Sequence, residues 1–196
     1  MRVSFFLWIA ALRKILTLDN LTKRGMPLVN WCCMCQSNGE LVDLLLLHCD
    51  IAYAVWGFAL QIFGIQWVMP SNVDTLLFSW KNWFGKHGSD LWNMVLACLM
   101  WLVWKERNRH TFEDMENSLD QLKTMFARTL FDWSWVWDFT HCSSILEFQV
   151  SLRFSLRDLC TFGHFVFIIV NIKCIWFSMK LHYLYIQKKK SYSAKN

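Results

Sequence analysis

Apolar residues recur along this chain at the three- and four-residue spacing of helices, not at the alternation of strands. Over residues 4–16 (SFFLWIAALRKIL), Phe5, Trp8, Ile9, Leu12 and Leu16 fall at helical spacing. Thr17 then opens a shorter helical stretch, LDNLTKRG, closed by Gly25 and Pro27. After a tight cysteine-bearing turn that includes Asn38-Gly39, a long helical pattern runs from about Glu40 to Phe63. Gly64 and Pro70 interrupt it, a short helical piece follows around Val73 to Phe84, and Gly85 and Gly88 make a loop. From Ser89 onward, Leu91, Val95, Cys98 and Leu102 form one stripe, flanked by Trp92, Leu99 and Val103. Ser89 reads as the N-cap of that helix, with Asp90 in its first turn and Lys105, Arg107 and Arg109 at its end, all favourable to the helix dipole. A further helix from roughly Ser118 to Trp137 carries Leu119, Leu122, Met125, Phe126, Leu130 and Trp133, so residues 89–137 are predicted to form a helical hairpin.

Beyond about Phe154 the pattern changes. Leu159 to Met179 is nearly continuous apolar sequence, followed by a tyrosine-rich basic end with Lys188, Lys189 and Lys190. Some twenty such residues are enough to cross a bilayer, so a membrane anchor is one reading of this segment. Against it stand His164, Asn171 and Lys173, since a lysine near the centre costs roughly 2.5–3.5 kcal/mol on insertion scales. The other reading is a buried or irregular appendage.

Composition sharpens the picture in one respect. At 55% hydrophobic, with thirteen Trp in 196 residues, the chain has more apolar surface than one core of this size uses, so some is expected to face a partner or a membrane. The net charge of +5 is partly the terminal lysine run and does not by itself indicate a nucleic-acid surface. Eight cysteines would suit a disulfide framework in a secreted protein. The first apolar run, however, is followed by Arg13 and Lys14 with no small-residue cleavage site, so the chain reads as intracellular, in cytoplasm or nucleus. In a reducing compartment, clustered cysteines are metal ligands or inert core thiols.

Cys32 and Cys35 make a Cys-x-x-Cys turn, and Cys49 follows fourteen positions later, directly after His48. Two thiolates on one turn can share a tetrahedral zinc if the following helix completes the set. The fold class expected is therefore mainly α: a small helical domain with an N-terminal Cys-x-x-Cys, zinc-knuckle-like turn over 28–57, plus an apolar C-terminal tail over 156–196. Cys98, Cys142, Cys160 and Cys174, scattered on apolar segments, read as core thiols.

The runs FFLWIAALRKILTLDNLTKRG, NWCCMCQSNGELVDLLLLHC, AVWGFALQIFGIQWVMP, WLVWKERNRHTFED and TLFDWSWVW together resemble the zinc-binding domain that follows the polymerase in plant non-LTR (LINE-type) retrotransposon reverse transcriptases. The likeness spans roughly residues 3–155. It implies zinc as the cofactor, with Cys32, Cys35 and Cys49 as ligands. The family's histidine position falls on Leu44, which leaves His48 as the substitute and Cys33 as a second one. The resemblance also implies a fragment of a retrotransposon polyprotein, whose partners would be RNA or DNA and the polymerase part of the parent polyprotein.

No catalytic chemistry is expected. The chain has no Asp-Asp pair of the kind a polymerase uses to hold two cations, and no P-loop, G-x-G-x-x-G, G-x-S-x-G or H-E-x-x-H motif. Glu106, Glu113, Asp114, Glu116 and Asp120 alternate with cations in what reads as a solvated helix end. Nucleic-acid binding is the function left to such a module: Lys14, Lys23, Arg24, Lys105, Arg107 and Arg109 are the candidate phosphate contacts, and exposed tryptophans the candidate base-stacking platforms. The plainer reading is that the cations solubilise helix ends and the tryptophans are core. A membrane-anchored helical protein held by Leu159 to Met179, and a translation product with no stable fold, are the alternatives.

Overall fold

The computed structural model describes residues 2–80 and 86–157, the side chains of 86–90 and 153–157 excepted. Among these residues the chain is helical, without strands: α1 Arg2–Ala11, α2 Leu18–Lys23, a single π-helical turn Leu44–His48, α3 Asp50–Ile62, α4 Val73–Ser79, α5 Lys86–Phe112, α6 Leu119–Val136 and α7 Ile145–Arg157. The apolar segment Leu159 to Met179 lies outside the described residues. Among those described, no helix is long and apolar enough to cross a membrane.

α5 is the axis of the fold, packing against α1, α3, α6 and the π-turn. Its middle is buried around the whole circumference: Trp92, Met94 to Met100, Leu102 and Val103 are all buried. The single stripe predicted from Leu91, Val95, Cys98 and Leu102 is thus too narrow. A helix apolar on every side is enclosed rather than laid on a surface. α5 also starts at Lys86, passing through Gly88, so Ser89 lies inside the helix and not at its cap. A glycine in a helix costs only about 1 kcal/mol, which tertiary packing readily exceeds.

α1 shows the same limit of periodicity. Its buried residues are Ser4, Phe6, Leu7 and Ala10, while Phe5, Trp8, Leu12 and Leu16 are exposed, the reverse of the face expected from spacing. Because nearly every residue of this helix is apolar, the pattern contains no polar face to orient it. Phe6 packs on Trp101 and Trp104 of α5, with ring centroids 5.4 and 5.6 Å away. The helix ends in a six-to-one and five-to-two pair of backbone bonds, Lys14 N–H to Ile9 O and Arg13 N–H to Ala10 O, with Arg13 in the left-handed region at φ 56°. Arg13 then pairs with Asp43 and, at 3.3 Å, with Asp74.

α6 begins as its sequence predicts, with Ser118 and Gln121 forming a reciprocal capping box. α7 was not expected. Its start is marked by Ser144-x-x-Glu147, in which Glu147 N–H donates to Ser144 Oγ, while the Glu147 carboxylate accepts the N–H of Ser143, one residue earlier than in the box of α6. Phe148 and Leu152, four apart, are the residues of α7 that enter the core.

The long helix predicted from Glu40 to Phe63 is broken. After the π-turn, Cys49 takes φ −57° and ψ 135°, and the chain restarts as α3 with Cys49 as its N-cap residue. Trp56, fully buried, donates its indole N–H to the Leu46 carbonyl at 2.9 Å and so ties α3 back onto the turn.

At the bottom of this arrangement lies one ion pair. Arg107 of α5 and Glu40, side chains 3% and 1% exposed, meet through Nε at 3.1 and 3.2 Å and Nη2 at 2.7 Å. Glu40 Oε1 also accepts the Leu18 N–H at the start of α2, at 3.0 Å. A buried pair with its partners satisfied is tolerated, whereas removing one member strands a charge. Arg107→Met is therefore expected to cost about 3–5 kcal/mol in urea unfolding, and Glu40→Met combined with Arg107→Met to recover most of that loss. Equal losses in both variants would show that the pair is not what holds these segments together.

Candidate metal centre

The cysteine turn is a loop closed at two levels. Glu40 N–H donates to Asn30 Oδ1 at 2.7 Å, and Cys32 N–H to the Asn38 carbonyl at 2.8 Å. Within it Gln36 N–H returns to the Cys32 carbonyl at 3.0 Å, with Gln36 in the left-handed region. This folds Cys35 back beside Cys32. The helix break delivers the third thiol: Cys49 N–H bonds the Leu44 carbonyl, five residues back, at 2.6 Å, and the extended ψ that follows sets Cys49 at the corner between π-turn and α3.

The sulfurs of Cys32, Cys35 and Cys49 all lie within 4.8 Å of one another. Cys32 Sγ and Cys49 Sγ are 4.0 Å apart, and both residues are buried, at 0% and 1% exposure, while Cys35 is partly open. Two sulfurs bound to one tetrahedral zinc at about 2.3 Å each stand about 3.8 Å apart, so the Cys32–Cys49 spacing is close to that of a shared ion. The hydrogen bond with Cys49 draws the Cys32 thiol down to about 6, helped by backbone N–H groups of Met34 and Cys35. The same contact, with burial, pushes the Cys49 thiol up. The two sulfurs thus titrate as a coupled pair, their contact lowering one thiol and raising the other.

The substitutes for the fourth ligand are placed elsewhere. His48 is exposed, and its Nε2 lies 3.1 Å from the Ser71 carbonyl, away from the grouped thiols. Cys33 faces α5, with its sulfur 3.8 Å from the Arg107 carbonyl and 3.5 Å from Thr111 Oγ1. Burial raises its thiol above the usual range. Neither residue joins Cys32, Cys35 and Cys49, and among the described residues no other His, Cys, Asp or Glu does. Neighbours in sequence diverge here because the π-turn and the cysteine turn each rotate adjacent side chains to different sides. Cys98 is a core thiol, as expected, raised by burial.

The candidate phosphate contacts divide. Lys14, Lys23, Arg24 and Lys105 are exposed, although Lys23 pairs with Asp19 at 2.9 Å. Arg109 is partly buried and lies 3.9 Å from Glu113. Arg107 is a correction: it is buried against Glu40 and cannot reach a ligand outside. Glu106 is likewise not part of a solvated helix end; it is buried, accepts the Asn117 backbone N–H at 2.7 Å, and meets His110 at 3.2 Å. Sequence spacing missed both because a charged residue on the buried side of a helix end looks like its solvated neighbours.

Residues 1–56 match the family described as zinc-binding in reverse transcriptase. That span contains the three grouped thiols and Glu40, and covers the first part of the 3–155 resemblance. No curated protein and no solved structure matches the chain. The N-terminal region is thus similar to a zinc-binding region of reverse transcriptases, and its structure brings three thiols of that region together.

Because an ion takes thiolates, binding must expel at least the proton held on Cys49. Affinity for zinc should therefore rise at least about tenfold per pH unit between about pH 6 and 8, in competition with a chromophoric chelator. A flat profile would mean that Cys49 is not a ligand.

Proposed function

We propose that the chain is a metal-stapled module derived from a plant non-LTR retrotransposon reverse transcriptase, without catalytic activity of its own, in which Cys32, Cys35 and Cys49 hold zinc and the exposed cations contact RNA or DNA. The observation that carries the reading is the convergence of three thiols, drawn from two separate turns, inside the span similar to the zinc-binding family. When bound, zinc supplies cross-linking: it joins the cysteine turn to the start of α3 and adds its binding energy to the folded state.

Trp31, exposed beside Cys32, supports the nucleic-acid part of the reading, since an indole on a rigid turn can stack on an unpaired base. Lys14, Lys23 and Arg24 lie on the segment just before that turn, and Lys105 and Arg109, four apart on α5, share a side of the helix. The exposed apolar residues Phe5, Trp8, Leu12 and Leu16 are where the polymerase part of a parent polyprotein would sit.

The test is the metal content of the purified full chain by mass spectrometry, beside Cys32→Ser and Leu44→His. About one zinc per chain, absent from Cys32→Ser, is the expected result. No metal in the parent and uptake only in Leu44→His would mean that the substitution at position 44 has abolished the site.

A further inference from the structure

The cluster just described, on whose assignment as a metal site this inference rests, has three sulfur donors and, among the described residues, no fourth. His48 is turned to Ser71, and Cys33 to Arg107 and Thr111. Asp50, next to Cys49 in sequence, is exposed and does not join the group, and Glu40 is engaged by Arg107 and Leu18. The residue whose carbonyl closes the π-turn onto Cys49 is Leu44, a hydrocarbon.

Two consequences follow from coordination number and charge. Zinc in a structural site is tetrahedral and needs four ligands, so here one position is filled by none of the described residues, beside the buried Cys32 and Cys49. Three thiolates around a divalent ion also carry one net negative charge into that interior. Arg107, the buried cation of α5 beside the cysteine turn, is already neutralised by Glu40 and does not offset it. A trivalent, sulfur-seeking centre removes both difficulties: it forms three bonds in a pyramid, carries no net charge with three thiolates, and presents its lone pair where a fourth ligand would be.

We propose that Cys32, Cys35 and Cys49 form a three-thiol receptor selective for trivalent thiophilic species, arsenite being the available one, over zinc. The reaction is balanced without an oxidant: arsenous acid and three thiols give one arsenic bound by three sulfurs and three waters. Each As–O bond is exchanged for an As–S bond, and each thiol proton leaves in a water molecule. Cys35, on the partly open turn, is the sulfur free to close the short distance that the pyramid requires.

The experiment uses the full chain, reduced and loaded with one zinc, titrated with arsenite while zinc release is read by a chromophoric chelator and arsenic content by intact mass spectrometry. The expected result is stoichiometric zinc release with one arsenic per chain, unchanged in Cys33→Ser and lost in Cys35→Ala. Helical circular dichroism shows that each variant is folded. Leu44→His, by supplying zinc with a fourth ligand, should raise the arsenite needed for half-release by more than about tenfold. Zinc retained by the parent under excess arsenite overturns the inference and leaves the zinc site standing. Arsenic retained by folded Cys35→Ala as in the parent also overturns it, by showing a two-thiol adduct. Arsenic bound by a chain that never holds zinc upholds the receptor and removes the zinc reading, and binding of neither ion removes both.

Discussion

Glu40 sits where three parts of the chain must agree. Its backbone N–H closes the cysteine turn on Asn30, and its carboxylate caps the first N–H of α2 and forks onto Arg107 of α5. A buried carboxylate is costly without its full set of donors, so the arrangement admits little slack. Moving any one partner leaves a charge in the core. The turn that carries Cys32 and Cys35 is thereby fixed relative to the central helix before any ion is considered. Cys33, whose sulfur lies against the last turns of α5, adds a second contact between the same two elements.

The consequence is that the cysteine turn is not an autonomous bead. The span similar to the zinc-binding family ends at residue 56, inside α3, whereas the residues that hold it in place lie on α5, some fifty positions further along. α5 can serve this role because its middle is enclosed on all sides and so has no freedom to slide. Burial of each large apolar side chain contributes roughly 1.5–3 kcal/mol, and the enclosed stretch of α5 holds many of them. Stacking of Trp80 on Trp92, at 4.2 Å and nearly parallel, and the bond from Trp80 Nε1 to the Trp92 carbonyl extend that rigidity to the end of α4.

The third thiol depends on a different device. A regular helix through residues 44–50 would carry Cys49 round with its neighbours and would place His48 and Cys49 about 100° apart on one surface. The π-turn instead spends five residues on one turn and ends in an extended Cys49, so position 49 is directed toward the cysteine turn while His48 goes out to Ser71. Such single π-turns inside helical segments are frequent at functional sites. Here the backbone pairing between positions 44 and 49 is present although position 44 carries a leucine.

Much of this was legible from residue order alone. Helical spacing predicts the helical class and a helix from about Ser118 to Trp137, and the Cys-x-x-Cys spacing with Cys49 identifies the three thiols that the structure groups. These are local properties, fixed by the 3.6-residue period and by two cysteines that share one turn. What only the tertiary structure decided are the choices local chemistry leaves degenerate. A helix apolar on every side, such as α1 or α5, has no preferred face until its neighbours are in place. Arg107 and Lys105 look alike in sequence, and only the approach of Glu40 makes one a buried anchor and the other a surface charge. The break at Cys49 belongs to the same class, because leucines continue a helix well and nothing in LLLLHC demands a π-turn. The indole of Trp56, reaching back to the Leu46 carbonyl, supplies the contact that the sequence around the break cannot express.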